Sequence, residues 1–297
     1  MTTHPGAAIR IEGIAKAFRG RPALHPLRLE VERGELFGLL GHNGAGKSTT
    51  FGILLGQVRP DAGEAFLDGH SVQTARARAL RRVGAIFEAP AFYDYLSGWR
   101  NLEIFTAYTA RPERRALEEI VELVGLRERI HDPVRNYSHG MRQRLGLAQA
   151  LLPDPRIVLL DEPTEGLDPE GIHEMRHLIR RLRDERGLTV LLSSHLLTEV
   201  EQLCDRVAIL NQGHLLFCGA WRDDAAPRVR LEVDDPGRAA EVLARMNCAF
   251  AREVATLPPA TDPADVLAAL VRAGVRVRAF APERRTLEDF YLDHVAP

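Results

Sequence analysis

Short apolar runs alternate with stretches of helical periodicity from residue 9 to about residue 218, the arrangement that builds a largely parallel sheet covered by helices. The predicted strands are 27–31, 36–40, 83–87, 157–161, 189–193 and 206–210. Ile157, Val158, Leu159 and Leu160 are apolar without alternation, as expected of a strand buried on both faces. From about 96 to 152 no strand pattern occurs. There Leu117, Ile120, Val121 and Val124 fall on one helical face. Ser97 reads as a helix cap and Pro112 as the opening of the next helix. An all-helical insert at about 90–152 inside an α/β core is therefore expected.

After Gly219 the character changes. Residues 221–227 (WRDDAAP) read as a linker, and Val229, Leu231 and Val233 alternate like a half-buried strand. Asp235-Pro236 and Asp262-Pro263 each combine a capping residue with proline at the first helical position. Ala239, Val242, Leu243 and Met246, then Val266 and Leu270, continue at helical spacing. Gly274 suits a helix end, and Val275, Val277 and Ala279 alternate again. The expected organisation is a flexible N-terminus at 1–7, an α/β domain at 8–220 and a small α+β accessory domain at 221–297.

Composition narrows the class. Hydrophobic residues make up 45% of the 297 and charged residues 27%, enough apolar material for a core. Lys plus Arg is 39 against 41 for Asp plus Glu, a net charge of −2. That balance disfavours a general nucleic-acid binder, which needs excess basic charge. Cys204, Cys218 and Cys248 are odd in number and far apart, with neither metal-ligand nor disulfide spacing, as suits a reducing compartment. The N-terminal stretch lacks the pattern of a signal peptide, and no run is apolar for the roughly 18 residues that a spanning helix needs. A cytoplasmic location is expected, with any membrane path supplied by another chain.

The sharpest chemical signal is Gly41-His42-Asn43-Gly44-Ala45-Gly46-Lys47-Ser48, a complete G-x-x-x-x-G-K-[ST] between an apolar strand and a helix start. Its glycines let backbone N–H groups converge on phosphate oxygens, aided by the positive end of the helix dipole. Lys47 is expected to neutralise the β- and γ-phosphates and Ser48 to ligate Mg²⁺, with Thr49 completing the cradle. The bland alternative, a glycine-rich turn, leaves the lysine and hydroxyl unexplained. A second signal is the strand ending in Asp161-Glu162-Pro163. Asp161 is placed to hold Mg²⁺ and Glu162 to accept a proton from an attacking water. Alone, two acids at a strand end are common; beside a phosphate loop they point to nucleotide hydrolysis.

Tyr137-Ser138-His139-Gly140-Met141-Arg142-Gln143-Arg144, shortly before that strand, resembles the signature of ABC ATPases. Ser138 and Gly140 are kept, while His139 and Met141 stand where glycine and glutamine are usual. These departures resemble bacterial drug and antibiotic-peptide exporters. By the same resemblance Phe18 stacks on adenine, Glu165-Gly166-Leu167-Asp168 is the D-loop, and Ser194-His195 carries the switch histidine. Glu88 stands where most relatives have the Q-loop glutamine, as in exporters of bacitracin-like and lantibiotic peptides. It adds a carboxylate beside the Mg²⁺ expected at Ser48 and Asp161. The resemblance covers residues 8–220; the ending at Thr286–Leu292 is similar, less closely, to the extension of such exporter subunits.

A competing motif is His173-Glu174-Met175-Arg176-His177, a full H-E-x-x-H, which on a helix presents two imidazoles and a glutamate in the zinc-hydrolase arrangement. It falls in an amphipathic helix whose apolar face is Ile172, Met175, Leu178, Ile179 and Leu182, and no third ligand follows at a suitable spacing. The zinc reading is accordingly remote.

The resemblance implies an ATP-hydrolysing motor at the inner face of the cell membrane, working with a separate membrane-spanning permease. It further implies a head-to-tail pair of ATPase subunits, most simply two copies of this chain. Each site would join the phosphate loop, Asp161, Glu162 and His195 of one subunit to Ser138 and Gly140 of the other. A non-transport ABC ATPase is the alternative, but the two-domain architecture or long coiled-coil inserts associated with such proteins are absent. An importer motor usually keeps the signature glycines and glutamine.

Overall fold

The computed structural model describes residues 6–87, 90–107, 113–221, 227–258, 261–283 and 286–295. Of the predicted flexible N-terminus, residues 1–5 lie outside these, and Ala7 already belongs to a strand. Pro112, Glu88 and most of the predicted linker also lie outside them. The chain divides into two compact units, the second of which is Ala220–Asp293.

The first unit contains a sheet that alternation alone did not reveal. Strands β1 (Ala7–Phe18) and β2 (Arg21–Glu32) form a long antiparallel pair. The predicted strand 27–31 is the second half of β2. On its other edge β1 meets β4 (Ala62–Leu67), which pairs with β5 (His70–Ser71). Ile9 and Ile11 are buried at odd positions of β1, but beyond Gly13 the register shifts and Ile14 takes the inward place. Gly13 has a φ of 66°, a left-handed backbone that suits glycine and breaks the period of two. The sheet's inner side chains share one core with Phe37, Leu39 and Phe51.

The second sheet of this unit holds the other five predicted strands together with an edge strand, at 214–220, that the apolar pattern does not predict. It comprises β3 (Leu36–Leu40), β6 (Val83–Ile86), β7 (Ile157–Asp161), β8 (Thr189–Ser194), β9 (Arg206–Asn211) and β10 (His214–Ala220), in the order β10-β9-β3-β8-β7-β6. The β6–β7, β7–β8, β8–β3 and β3–β9 pairs are parallel. Every residue of β3, β7 and β8 is buried, because one face of the sheet shares its core with the antiparallel sheet and Phe51 while Val200 packs on the other at Gly38. The register aligns Leu40 with Ser194 and Asp161 with Ser193, so the loops after β3, β7 and β8 emerge together at the carboxyl edge, where open α/β sheets bind ligands.

Helix α1 (Lys47–Leu54) follows β3, and α2 (Arg76–Ala79) precedes β6. Between β6 and β7 lie α3 (Gly98–Ala107), α4 (Arg114–Leu123) and α5 (His139–Leu151), with no strand among the described residues. The Ser97 hydroxyl accepts a bond from the Arg100 N–H at 3.2 Å, capping α3. Helix α4 buries Leu117, Ile120 and Val121. Helix α5 lies directly on β6 at Gly84, where a Cβ would stand 2.0 Å from the Ala150 carbonyl oxygen. Helices α6 (Pro169–Arg186) and α7 (Leu197–Leu203) flank β8 in sequence.

The second unit runs β11 (Arg228–Val233), α8 (Pro236–Arg245), β12 (Ala249–Ala251), β13 (Val254–Thr256), α9 (Pro263–Arg272), β14 (Val277–Glu283) and α10 (Leu287–Val295). Its sheet has the order β12-β13-β11-β14 with antiparallel pairs throughout, the split β-α-β of ferredoxin-like domains. Asp235 and Asp262 accept bonds from Arg238 N–H and Ala264 N–H at 3.0 and 2.8 Å, capping α8 and α9. Val229, Leu231, Leu243, Val266 and Leu270 form a core of its own. No described helix is long and apolar enough to cross a membrane.

Candidate functional site

The loop from Gly41 to Gly46 leaves β3 and enters α1 at Lys47. Gly44 and Gly46 have φ of 81° and 106°, conformations that turn successive N–H groups toward one point and that side chains resist. The Lys47 side chain is 6% exposed. Its ammonium donates to the Gly41 carbonyl at 2.7 Å and stands 3.4 Å from Glu162 Oε1. From below, the Gly213 N–H donates to the Ala45 carbonyl at 3.0 Å. Motif reading misses that support from the β9–β10 turn.

Asp161 ends β7 in the interior, and one of its carboxylate oxygens accepts the Ser193 hydroxyl. The next residue reverses the chain: Glu162 has a φ of 49°. Its N–H donates to the Ser193 carbonyl and hydroxyl at 3.2 and 3.1 Å. Its carboxylate turns toward His195, with Oε2 at 2.8 Å from Nδ1 and 3.2 Å from the backbone nitrogen. Lys47, Glu162 and His195 thus form one continuous polar chain, assembled from the ends of three neighbouring strands.

Around this chain lies a cleft of about 670 Å³, within the range of small-molecule sites. Phe18, His42, Asn43, Gly44, Gly46, Lys47, Ser48, Thr49, Asp161, Glu162 and His195 line it. Phe18 is 47% exposed, with the Lys16 ammonium 5.4 Å from its ring centre. Gly41 and Ala45 act through the loop backbone, as the Lys47 and Gly213 bonds record. Ser138, Gly140 and Asp168 do not line the cleft. Ser138 caps α5 by accepting the Met141 N–H at 3.2 Å, and Asp168 caps α6 by accepting the Gly171 N–H at 2.9 Å.

Several lining residues escape sequence reasoning. His139 reaches the Glu165 carbonyl with Nε2 at 2.8 Å, tying the start of α5 to the loop after Glu162, and Gly166 packs against the same ring. Gln143, one turn along from His139, and Ala23 also line the cleft. The helical spacing of His139 and Gln143 is a signal for the first; Ala23 carries none.

Magnesium fits the oxygen donors here. Ser48 offers a hydroxyl at the first turn of α1 and Asp161 a carboxylate held by Ser193, both hard ligands suited to that ion. The H-E-x-x-H motif is committed elsewhere. His173 and His177 are exposed with ring centres 4.4 Å apart, and Glu174 pairs with Arg144 on α5 at 2.9 Å. Among the described residues no group of three or more His, Cys, Asp or Glu is placed to hold a metal.

A family model described as ABC transporter matches residues 24–165. The uncharacterized ABC transporter ATP-binding protein YhcH of Bacillus subtilis (strain 168) is 40% identical over 290 residues, covering 96% of this chain and 95% of that protein. The bacitracin transport ATP-binding protein BcrA of Bacillus licheniformis is 42% identical over 208 residues, 70% of this chain and 68% of that one. A solved ATP-binding subunit of an ABC transporter superposes with a TM-score of 0.66 at 28% identity, over 73% of this chain and 91% of that one.

Proposed function

Since this chain belongs to the ABC transporter ATP-binding family, as an ATP-binding and ATP-hydrolysing subunit, we propose that it powers an exporter of drugs or antibiotic peptides. The observation that carries the catalytic reading is the continuous chain Lys47–Glu162–His195 in the cleft. In this reading the Gly41–Thr49 loop cradles the phosphates, and Phe18 at the rim stacks on adenine. Ser48 and Asp161 hold Mg²⁺, which neutralises phosphate charge when bound. Water attacks the γ-phosphorus, the bond to the β-phosphate oxygen breaks, and ADP and phosphate leave. Glu162 orients that water and takes its proton. Lys47 balances charge on the phosphoryl oxygens, and His195 holds the Glu162 carboxylate and meets the γ-phosphate.

Ser138 and Gly140, standing outside the cleft at the start of α5, are free to complete the site of a second copy in a head-to-tail pair. Pair closure then drives a separate membrane-spanning permease, which holds this chain at the inner face of the cell membrane. Tyr93 and Tyr95, 45% and 70% exposed just before α3, mark the face offered to that partner. The likeness to the bacitracin protein supports an export cargo of that kind.

Light scattering and ATP hydrolysis on the full chain test the site. E162Q is expected to bind ATP, to dimerise in its presence and to hydrolyse it about 10²–10³-fold more slowly. K47A is expected to lose ATP binding and ATP-dependent dimerisation together. An E162Q chain that hydrolyses ATP at the wild-type rate would overturn the catalytic assignment; one that binds ATP but stays monomeric would overturn the pairing.

A further inference from the structure

Behind the Glu162–His195 pair lies a carboxyl group that the reaction does not use. Glu199, in the first turn of α7, is 4% exposed. Its Oε2 accepts the Thr164 hydroxyl and, at 3.4 Å, the Ser194 hydroxyl. Both donors are themselves buried, at 3% and 1% exposure. Oε1 has no hydrogen-bond partner among the described residues. An acidic side chain enclosed this way costs stability, and an apolar residue would fill the space more cheaply.

The placement of the two hydroxyls explains what the carboxyl does. Thr164 lies two residues after Glu162, and Ser194 immediately precedes His195. The neighbouring serines at the end of β8 divide the work, since strand side chains alternate. Ser193 bonds Asp161 and the Glu162 N–H on one side; Ser194 turns to Glu199 and accepts the Leu196 N–H at 2.9 Å on the other. The loops bearing Glu162 and His195 are therefore joined twice, once directly at 2.8 Å in the cleft and once from beneath by Glu199.

We propose that Glu199 is a positioning residue for ATP hydrolysis: by bridging Thr164 and Ser194 it fixes the Glu162 and His195 loops relative to each other. It touches neither phosphate nor water. What the bridge requires is an acceptor with the right reach, not a charge. The inference rests on Glu162 and His195 being the hydrolytic pair.

The test is steady-state ATP hydrolysis by the full chain carrying E199L, E199Q, T164V and T164S, with E162Q alongside and thermal unfolding as the folding control. Misplacing reacting groups from a distance costs up to about 10²-fold. E199L and T164V are expected to lower kcat by about tenfold or more while leaving KM for ATP within twofold. E199Q, whose amide oxygen accepts both hydroxyls, and T164S, which keeps the donor, are expected to restore kcat to within threefold of wild type. Should E199L fail to fold, T164V and T164S carry the same comparison. Wild-type kcat in E199L or T164V, a matching loss in KM, or no rescue by T164S in a folded protein would overturn the proposal. An E162Q chain that hydrolyses ATP normally would instead remove the reading on which it rests.

Discussion

Gly84 permits a sharp calculation, because what faces it is backbone. A Cβ at this position would stand 2.0 Å from the Ala150 carbonyl oxygen and 2.8 Å from its carbonyl carbon. No side-chain rotation on α5 can relieve that clash, so in G84A the helix must withdraw from β6 by roughly 1 Å or more. Overpacking a tight site costs about 1–3 kcal/mol, and rigid atoms on both sides place this case at about 3 kcal/mol. For a unit of this size each kcal/mol lowers Tm by about 2–4 °C, so calorimetry should show a fall of about 6–12 °C. Since α5 begins at His139, its retreat also disturbs the bond to the Glu165 carbonyl. Hydrolysis should therefore fall further than ATP binding. A control comes from A150G, which removes the side chain and leaves the offending carbonyl. Recovery of Tm in G84A/A150G, or a G84A Tm within about 2 °C of wild type, would refute the reasoning.

Two other predictions concern the scaffold. Asp68 accepts bonds from Arg33, just after β2, and Arg156, just before β7; burial pushes its carboxyl up, but these two arginines outweigh burial and hold it below the ordinary 3.8. A depressed carboxylate contributes stability above its unfolded value that is lost as pH falls through the folded one. D68N should therefore cost about 1 kcal/mol at neutral pH and converge with wild type in acid, as urea unfolding across pH would show; asparagine tolerates the left-handed backbone of this position, whose φ is 48°. D235A removes the cap of α8, and hydrogen exchange of the first-turn amides, Arg238 among them, should quicken in keeping with about 1 kcal/mol.

Strands β3, β7 and β8 were legible because they are apolar on both faces and end in unmistakable chemistry, whereas β10, exposed at alternate positions, was not. Gly41–Ser48 and Asp161-Glu162 were legible in the sequence for the same reason, since each motif brings its flanking strand with it. The first antiparallel sheet was not. The Gly13 register shift moves the buried positions of β1 from odd to even, and β4 has alanine and glycine where large side chains would have revealed it. In the second unit, Asp-Pro pairs announced α8 and α9, yet the β12–β13 hairpin left no trace. Its turn places Arg252 and Glu253 at φ of 49° and 63°, where an Asn-Gly pair would ordinarily betray the bend. Long-range partners were the least visible. Nothing in the spacing of Thr164, Ser194 and Glu199 indicates that they meet, because three separate elements must fold before they do.

The backbone at Glu162 has a consequence for anyone who alters this chain. A non-glycine residue held at a φ of 49° carries a cost of about 1–2 kcal/mol, and the most economical sequence would place glycine or asparagine there. Redesign guided by stability alone would be drawn to this position early and would remove the carboxylate that faces His195 and Lys47 in the cleft. Arg252 and Glu253 share this backbone merely to make a turn, whereas the Glu162 side chain lines the cleft, so a library meant to preserve the cleft must hold it fixed.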